Sequence, residues 1–174
     1  MALSALASGT SSVPVLAYHG NNIADNTYAG NDHVALREDL RSLHAAGWRP
    51  ASLDLLLDWH EGRVHDVAMR RRFVVTFDDG SDFDFRDMDH PTCGLQPALF
   101  TILREFARDT GVFVPAHSFV IASPEARRQL DERSLVGRGW WNDDWWAAAN
   151  ASGQLFIESH GWDHLHPVLD SVAQ

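Results

Sequence analysis

The order in which apolar patterns change along the chain constrains its fold most. Val13-Pro14-Val15-Leu16-Ala17-Tyr18 is a nearly continuous apolar run, as in a strand covered on both faces. Leu36, Leu40 and Leu43 then recur at i, i+4 and i+7, the stripe of a helix. Asp32 is placed to cap its start and Gly47 its end. A second helix is predicted after Ser52, with Leu53, Leu56 and Leu57 inward and Gly62 as its stop. Phe73 to Phe77 is β-branched and aromatic, a strand. Ser81 to Gly94 reads as loop, and Pro97 suits the first turn of a third helix carrying Leu99, Leu103 and Phe106 and ending at Gly111. Phe113 to Ile121 is a further strand, and Ser123-Pro124 opens a short helix. Asn142 is expected to cap another helix, running to about Gly153, before a last strand at Leu155-Phe156-Ile157. Strands separated by helices pair in parallel through crossovers. The expectation is an α/β fold, with 1–12 as an N-terminal tail and 13–174 as one domain. Chemistry in such folds collects at the C-terminal ends of strands, here just after Tyr18, Phe77, Phe119 and Ile157.

Composition removes several classes of function. The net charge is -10, and nucleic acid is a poor partner for so acidic a chain. All 14 basic residues are Arg, so there is no Lys for Schiff-base chemistry or a phosphate-binding P-loop. A single cysteine, Cys93, excludes an internal disulfide and a multi-cysteine metal site. No apolar run approaches the roughly 20 residues that cross a bilayer, so no transmembrane segment is expected. The first basic side chain is Arg37, which leaves no signal peptide in this sequence and the compartment unassigned.

Two strand ends carry the residues suited to chemistry. After Phe77 come Asp78-Asp79-Gly80. Adjacent carboxylates repel, and a cation favours both as anions. Extended neighbours point to opposite faces, so the pair serves one site only if the chain bends, which Gly80 permits. The plain alternative is a turn that closes the strand. After the last strand, His160 and His164 stand at i and i+4, a spacing that lets two imidazoles reach one metal and also arises by chance. Two histidines with one carboxylate and open positions describe a catalytic divalent-metal site, most simply Zn2+.

Thr76-Phe77-Asp78-Asp79-Gly80 and Ser159-His160-Gly161-Trp162-Asp163-His164 resemble, in order and spacing, the first two motifs of the polysaccharide deacetylases, carbohydrate esterase family 4 with its NodB-homology domain. Pro14 to His19 resembles the entry strand of that family's "YH" branch, and the segment Leu36 to Leu57 its helix–turn–helix. Ala116-His117-Ser118-Phe119-Val120 resembles the following strand, with His117 in place of Thr, and Trp141 to Trp146 the helix before the second motif. The resemblance runs from Val13 to Pro167 and implies a (β/α) barrel that removes N-acetyl groups from a carbohydrate. It implies that Asp78 is the catalytic base and that Asp79, His160 and His164 hold one divalent metal ion, usually zinc. A metal lowers the pKa of its water to about 7, which suits attack on an acetamide carbonyl with Asp78 taking the proton. Asp163 or Glu158 is expected to orient a ligand histidine. His19, Trp162, Asp163 and His166 are further candidates to touch substrate or support the ligands.

The family's three later motifs are missing from the sequence. They include an Arg–aromatic segment that positions the base and a late Leu-x-His that supplies the general acid. The expected fold is therefore a truncated, distorted (β/α)7-type barrel, a poor catalyst alone, whose open strand edges invite self-association. His19, His117 and His166 are the histidines that could replace the missing acid. Asp82, Asp84, Asp87 and Asp89 are expected to form a solvated acidic loop, and Trp141 and Trp145, one helical turn apart, to pack in the core. Two other readings stay open: the same scaffold acting on a small linear or cyclic amide, and a non-catalytic metal- or glycan-binding module.

Overall fold

The structure, a computed structural model, describes residues 12–165. Along the chain run β1 (Val15–His19), α1 (Asp32–Ala45), β2 (Arg49–Pro50), α2 (Leu53–His60), α3 (Asp66–Met69) and β3 (Arg72–Asp79). A 3-10 turn at Asp82–Asp84 leads to the hairpin β4 (Met88–His90) and β5 (Gly94–Gln96). Then come α4 (Leu99–Thr110), β6 (Ala116–Val120), α5 (Pro124–Ser134), α6 (Trp146–Ala151) and β7 (Leu155–Ser159). The strands β1, β3, β6 and β7 lie side by side in that order and pair in parallel, while β2 pairs with the start of β3. This is the α/β architecture that the alternation of patterns predicts, in the partial-barrel form that the resemblance implies.

Period-2 alternation divides the sheet into two faces. Tyr18, Phe73, Val75, Phe77, Ala116 and Val120 turn outward and are buried under Leu36 and Leu40 of α1, Leu99, Ile102, Leu103 and Phe106 of α4, and Ala149 of α6. Each large side chain of this core contributes roughly 1.5–3 kcal/mol of burial. The opposite, inner face has a floor. There Val74 packs with Ala51 and Met69, and Leu55, Leu56 and Trp59 lie against them. Above the floor the inner face is only half covered. Val15 is 48% exposed, so β1 is not the doubly buried strand its composition suggests.

Local chemistry sets most element ends. Ser52 caps α2 by accepting from Leu55 N–H, and Ser123 caps α5 by accepting from Ala126 N–H, with Pro124 behind it. α4 carries its predicted apolar stripe and ends at Gly111. Three expectations need correction. Asn31, not Asp32, caps α1, because the Asp32 carboxylate is taken by the His19 N–H and the Asn22 amide. Leu57 is exposed, and Leu55 packs in its stead beside Leu56. Asn142 starts no helix; its side chain donates to Asp82 and to the Gly139 carbonyl, and α6 begins at Trp146.

Candidate metal centre

β3 delivers the first ligand by breaking its own alternation. Asp79 and Gly80 both adopt left-handed backbone, with φ of 71° and 76°. The bend turns the chain at the end of the strand, so that neighbouring carboxylates need not part to opposite faces. An added Cβ at Gly80 would sit 2.5 Å from Val120 Cγ1. The bend is fastened from outside: the Asp79 carbonyl accepts from the buried Trp141 Nε1 at 3.0 Å. Trp141 and Trp145 are thus core residues, as their spacing predicts.

The segment after β7 brings the two histidines. His160 N–H donates to the Val120 carbonyl at 2.9 Å. Ala122 and Ser123 N–H donate to the carbonyls of Gly161 and Trp162 at 3.1 and 2.6 Å. This zipper against the exit of β6 carries the chain back over the sheet, and His164 itself takes a left-handed φ of 56°. The two imidazole centroids end 4.8 Å apart. Nε2 of each ring lies 3.5 Å from the same atom, Asp79 Oδ1.

These residues fit a bound cation. At 3.5 Å the contacts exceed the usual hydrogen-bond range of about 2.7–3.2 Å. Two ligands at about 2.0–2.1 Å from a tetrahedral zinc are themselves about 3.4 Å apart. Asp79 Oδ1 is buried and has no hydrogen-bond partner, an arrangement that costs about 1–3 kcal/mol or more for a carboxylate and that a cation relieves. One ligand atom from each of the three residues falls within 4.8 Å of the others. Asp78 stands next to this group, beside His19 on β1 and Phe119 on β6 in the strand register.

The other candidates divide. His19 is at the mouth of the sheet, its Nδ1 3.9 Å from Asp32 Oδ2. Trp162 is exposed, and Asp163 accepts from Leu165 N–H. Glu158 does not hold a ligand histidine; it binds His117. His117 is buried with both ring nitrogens engaged, so it is poorly placed to protonate a leaving group. His166 lies outside the described residues.

The acidic segment after β3 is solvated only in its second half: Asp87 and Asp89 are exposed as expected, and Asp82 and Asp84 are not. Asp82 is buried and accepts from Asn142 N–H, the Asn142 amide and Arg86. Asp84 is fully buried and accepts from Ser118 Oγ at 2.7 Å. Burial pushes its carboxyl well above the usual range, the Ser118 bond pulls the other way, and the charges of Asp79 and Asp78 push it further up. Sequence reasoning missed this buried acid. The only local signal is that Asp82 and Asp84 flank Phe83, which is itself buried.

A parallel sheet with a histidine–carboxylate cluster at its C-terminal strand ends defines an α/β protein with a candidate metal centre. No protein-family model matches the sequence, and no curated protein matches it. Two solved structures share the fold. One is the Streptococcus pyogenes deacetylase PplD in complex with acetate, with TM-score 0.53 and 16% identity over 88% of this chain and 57% of that one. The other is a de-N-acetylase from Aggregatibacter actinomycetemcomitans, with TM-score 0.54 and 18% identity over 85% of this chain and 54% of that one. This chain thus spans little more than half the length of either.

Proposed function

We propose that this chain is a metal-dependent hydrolase domain that removes N-acetyl groups from a carbohydrate of the peptidoglycan, chitin or exopolysaccharide type. The observation that carries the reading is the convergence of Asp79, His160 and His164 on one point beside Asp78. Likeness of fold to two de-N-acetylases supports it. Asp79, His160 and His164 would hold one divalent ion, zinc by its donor set. When bound, the ion would acidify a water and polarise the acetamide carbonyl. Asp78 would take the proton of the attacking water. Of the two described histidines near the mouth that are not in the metal-ligand set, His117 is enclosed and His19 has a side chain 44% exposed, so His19 is the candidate to return a proton to the amine. The half-covered inner face suits a chain-like substrate that lies across the mouth better than a small amide, which an enclosed pocket would hold.

The test combines metal content with acetate release. The purified chain should hold about one zinc-like ion by elemental analysis, and the double substitution His160→Ala, His164→Ala should lose it. Asp78→Asn should keep the ion and release acetate from acetylated chito-oligosaccharide about 10²–10⁴-fold more slowly. Acetate release unchanged in Asp78→Asn would remove Asp78 as the base, and a metal-loaded chain with no release at all would favour a binding module. Failure to take up zinc would sink the metal centre itself.

A further inference from the structure

Four residues stand in a row at the mouth of the sheet. The strand register sets His19 beside Asp78, Asp78 beside Phe119, and Phe119 beside Glu158. Registered neighbours in a parallel ladder share a face, so the row lies on the inner face. Adjacent strands are about 4.8 Å apart, which puts Glu158 about 10 Å from Asp78, with Phe119 between them.

Glu158 is held in place from below. Its Oε1 lies 3.1 Å from His117 Nδ1. The His117 ring is enclosed, stacks on Phe156 at 5.3 Å, and receives the Leu53 N–H on Nε2 at 3.1 Å. That donor needs the Nε2 lone pair, so the ring proton sits on Nδ1 and points at Glu158. A ring protonated on Nδ1 alone is uncharged. The carboxylate is therefore oriented without being neutralised, and its side chain keeps 39% exposure toward the mouth. Asp78 is a second carboxylate in the same row, two strands away.

We propose that Glu158 is a specificity-determining residue that binds the free ammonium of an amino sugar neighbouring the acetylated one. The substrate class is then a partly deacetylated, cationic amino-sugar oligomer, a conclusion that rests on the deacetylase reading above. A sugar hydroxyl would also bond Glu158, but a charge-assisted bond is about twice as strong as a neutral one.

The test is a binding titration with the zinc-loaded full chain, using a glucosamine oligomer as the cationic probe and the fully N-acetylated oligomer as the neutral one. Glu158→Gln keeps the shape and an acceptor for His117 but removes the charge. It should weaken the cationic oligomer about tenfold and the neutral one less than about twofold. Metal content should not change, which separates a lost charge from a lost fold. A second arm needs no variant. In the unmodified chain the preference for the cationic oligomer should shrink as ionic strength rises from about 0.01 M to about 1 M, where the screening length falls to about 3 Å. Equal weakening of both oligomers in Glu158→Gln, or a salt-independent preference, would overturn the proposal. Failure of the deacetylase reading shows differently: the unmodified chain releases no acetate from the N-acetylated oligomer, yet binds the cationic one in a Glu158-dependent way.

Discussion

Asp79 and Gly80 sit in consecutive left-handed conformations, and the candidate metal centre depends on that bend. For Asp79 the conformation costs roughly 1–2 kcal/mol, which its neighbours must offset. For Gly80 it costs little, but the packing beside it leaves no room for a side chain. Gly80→Ala should destabilise the chain by about 2–4 kcal/mol, through the left-handed penalty and overpacking against Val120. Thermal unfolding should show this loss together with weaker zinc uptake; an unshifted melting temperature would mean that the bend is not held as described. At this scale the motif residues were legible, since Asp78, Asp79, His160 and His164 are identified by type and position at strand ends. Glu158, His117 and Asp84 were not, because their roles come from partners 41 and 34 residues away in the chain. A buried carboxylate looks the same as a solvated one in sequence until its donor is known.

The elements are tied together at His33 on α1. Its Nδ1 lies 2.7 Å from the Pro97 carbonyl, at the entrance to α4, and its Nε2 2.9 Å from the Gly20 carbonyl, after β1. Burial holds its pKa below the ordinary value, and the two carbonyls pull the other way. Near pH 6.5 the unfolded chain then binds the proton more readily than the folded one, so this contribution is present above that pH and is lost as the pH falls through the folded pKa. Melting temperature should drop between about pH 7.5 and about pH 5.5, and drop less in His33→Gln; identical slopes would show that His33 does not carry the effect. Helices with a clear stripe, such as α4, were readable because burial follows the 3.6-residue period. The hairpin of β4 and β5 was not, because Met88-Asp89-His90 has no strand-like alternation. The late start of α6 was also hidden, since Asp82, 60 residues away, claims the Asn142 side chain.

As a whole, the described molecule is a parallel sheet covered on one face and half covered on the other. Its outermost long strands, β1 and β7, are partly guarded: the His19 N–H is taken by Asp32 and the Ile157 N–H by Asn150. Val15 on the inner face is not covered. Sedimentation should therefore show association that grows with concentration and is reduced by Val15→Lys, which places a charge on that face. A single monomeric species at every concentration would argue that the inner face tolerates water. The overall class was legible because alternating patterns leave few topologies open. The exposure of Val15 in particular was not, because an apolar run announces that a strand can be buried and not what is there to bury it.

The eight residues of β3 run from the floor of the sheet to its mouth, and this single span sorts the consequences of change. Near its start, Phe73 and Val74 have no contact with solvent to spare, so a defect there reduces how much folded protein a cell accumulates. At its end, Asp78 lies at the mouth, so if it is the base proposed above a defect there leaves the protein abundant and idle. A scan of every substitution along β3, scored separately for quantity and for turnover, would then trace one boundary, and that boundary marks where scaffold gives way to chemistry.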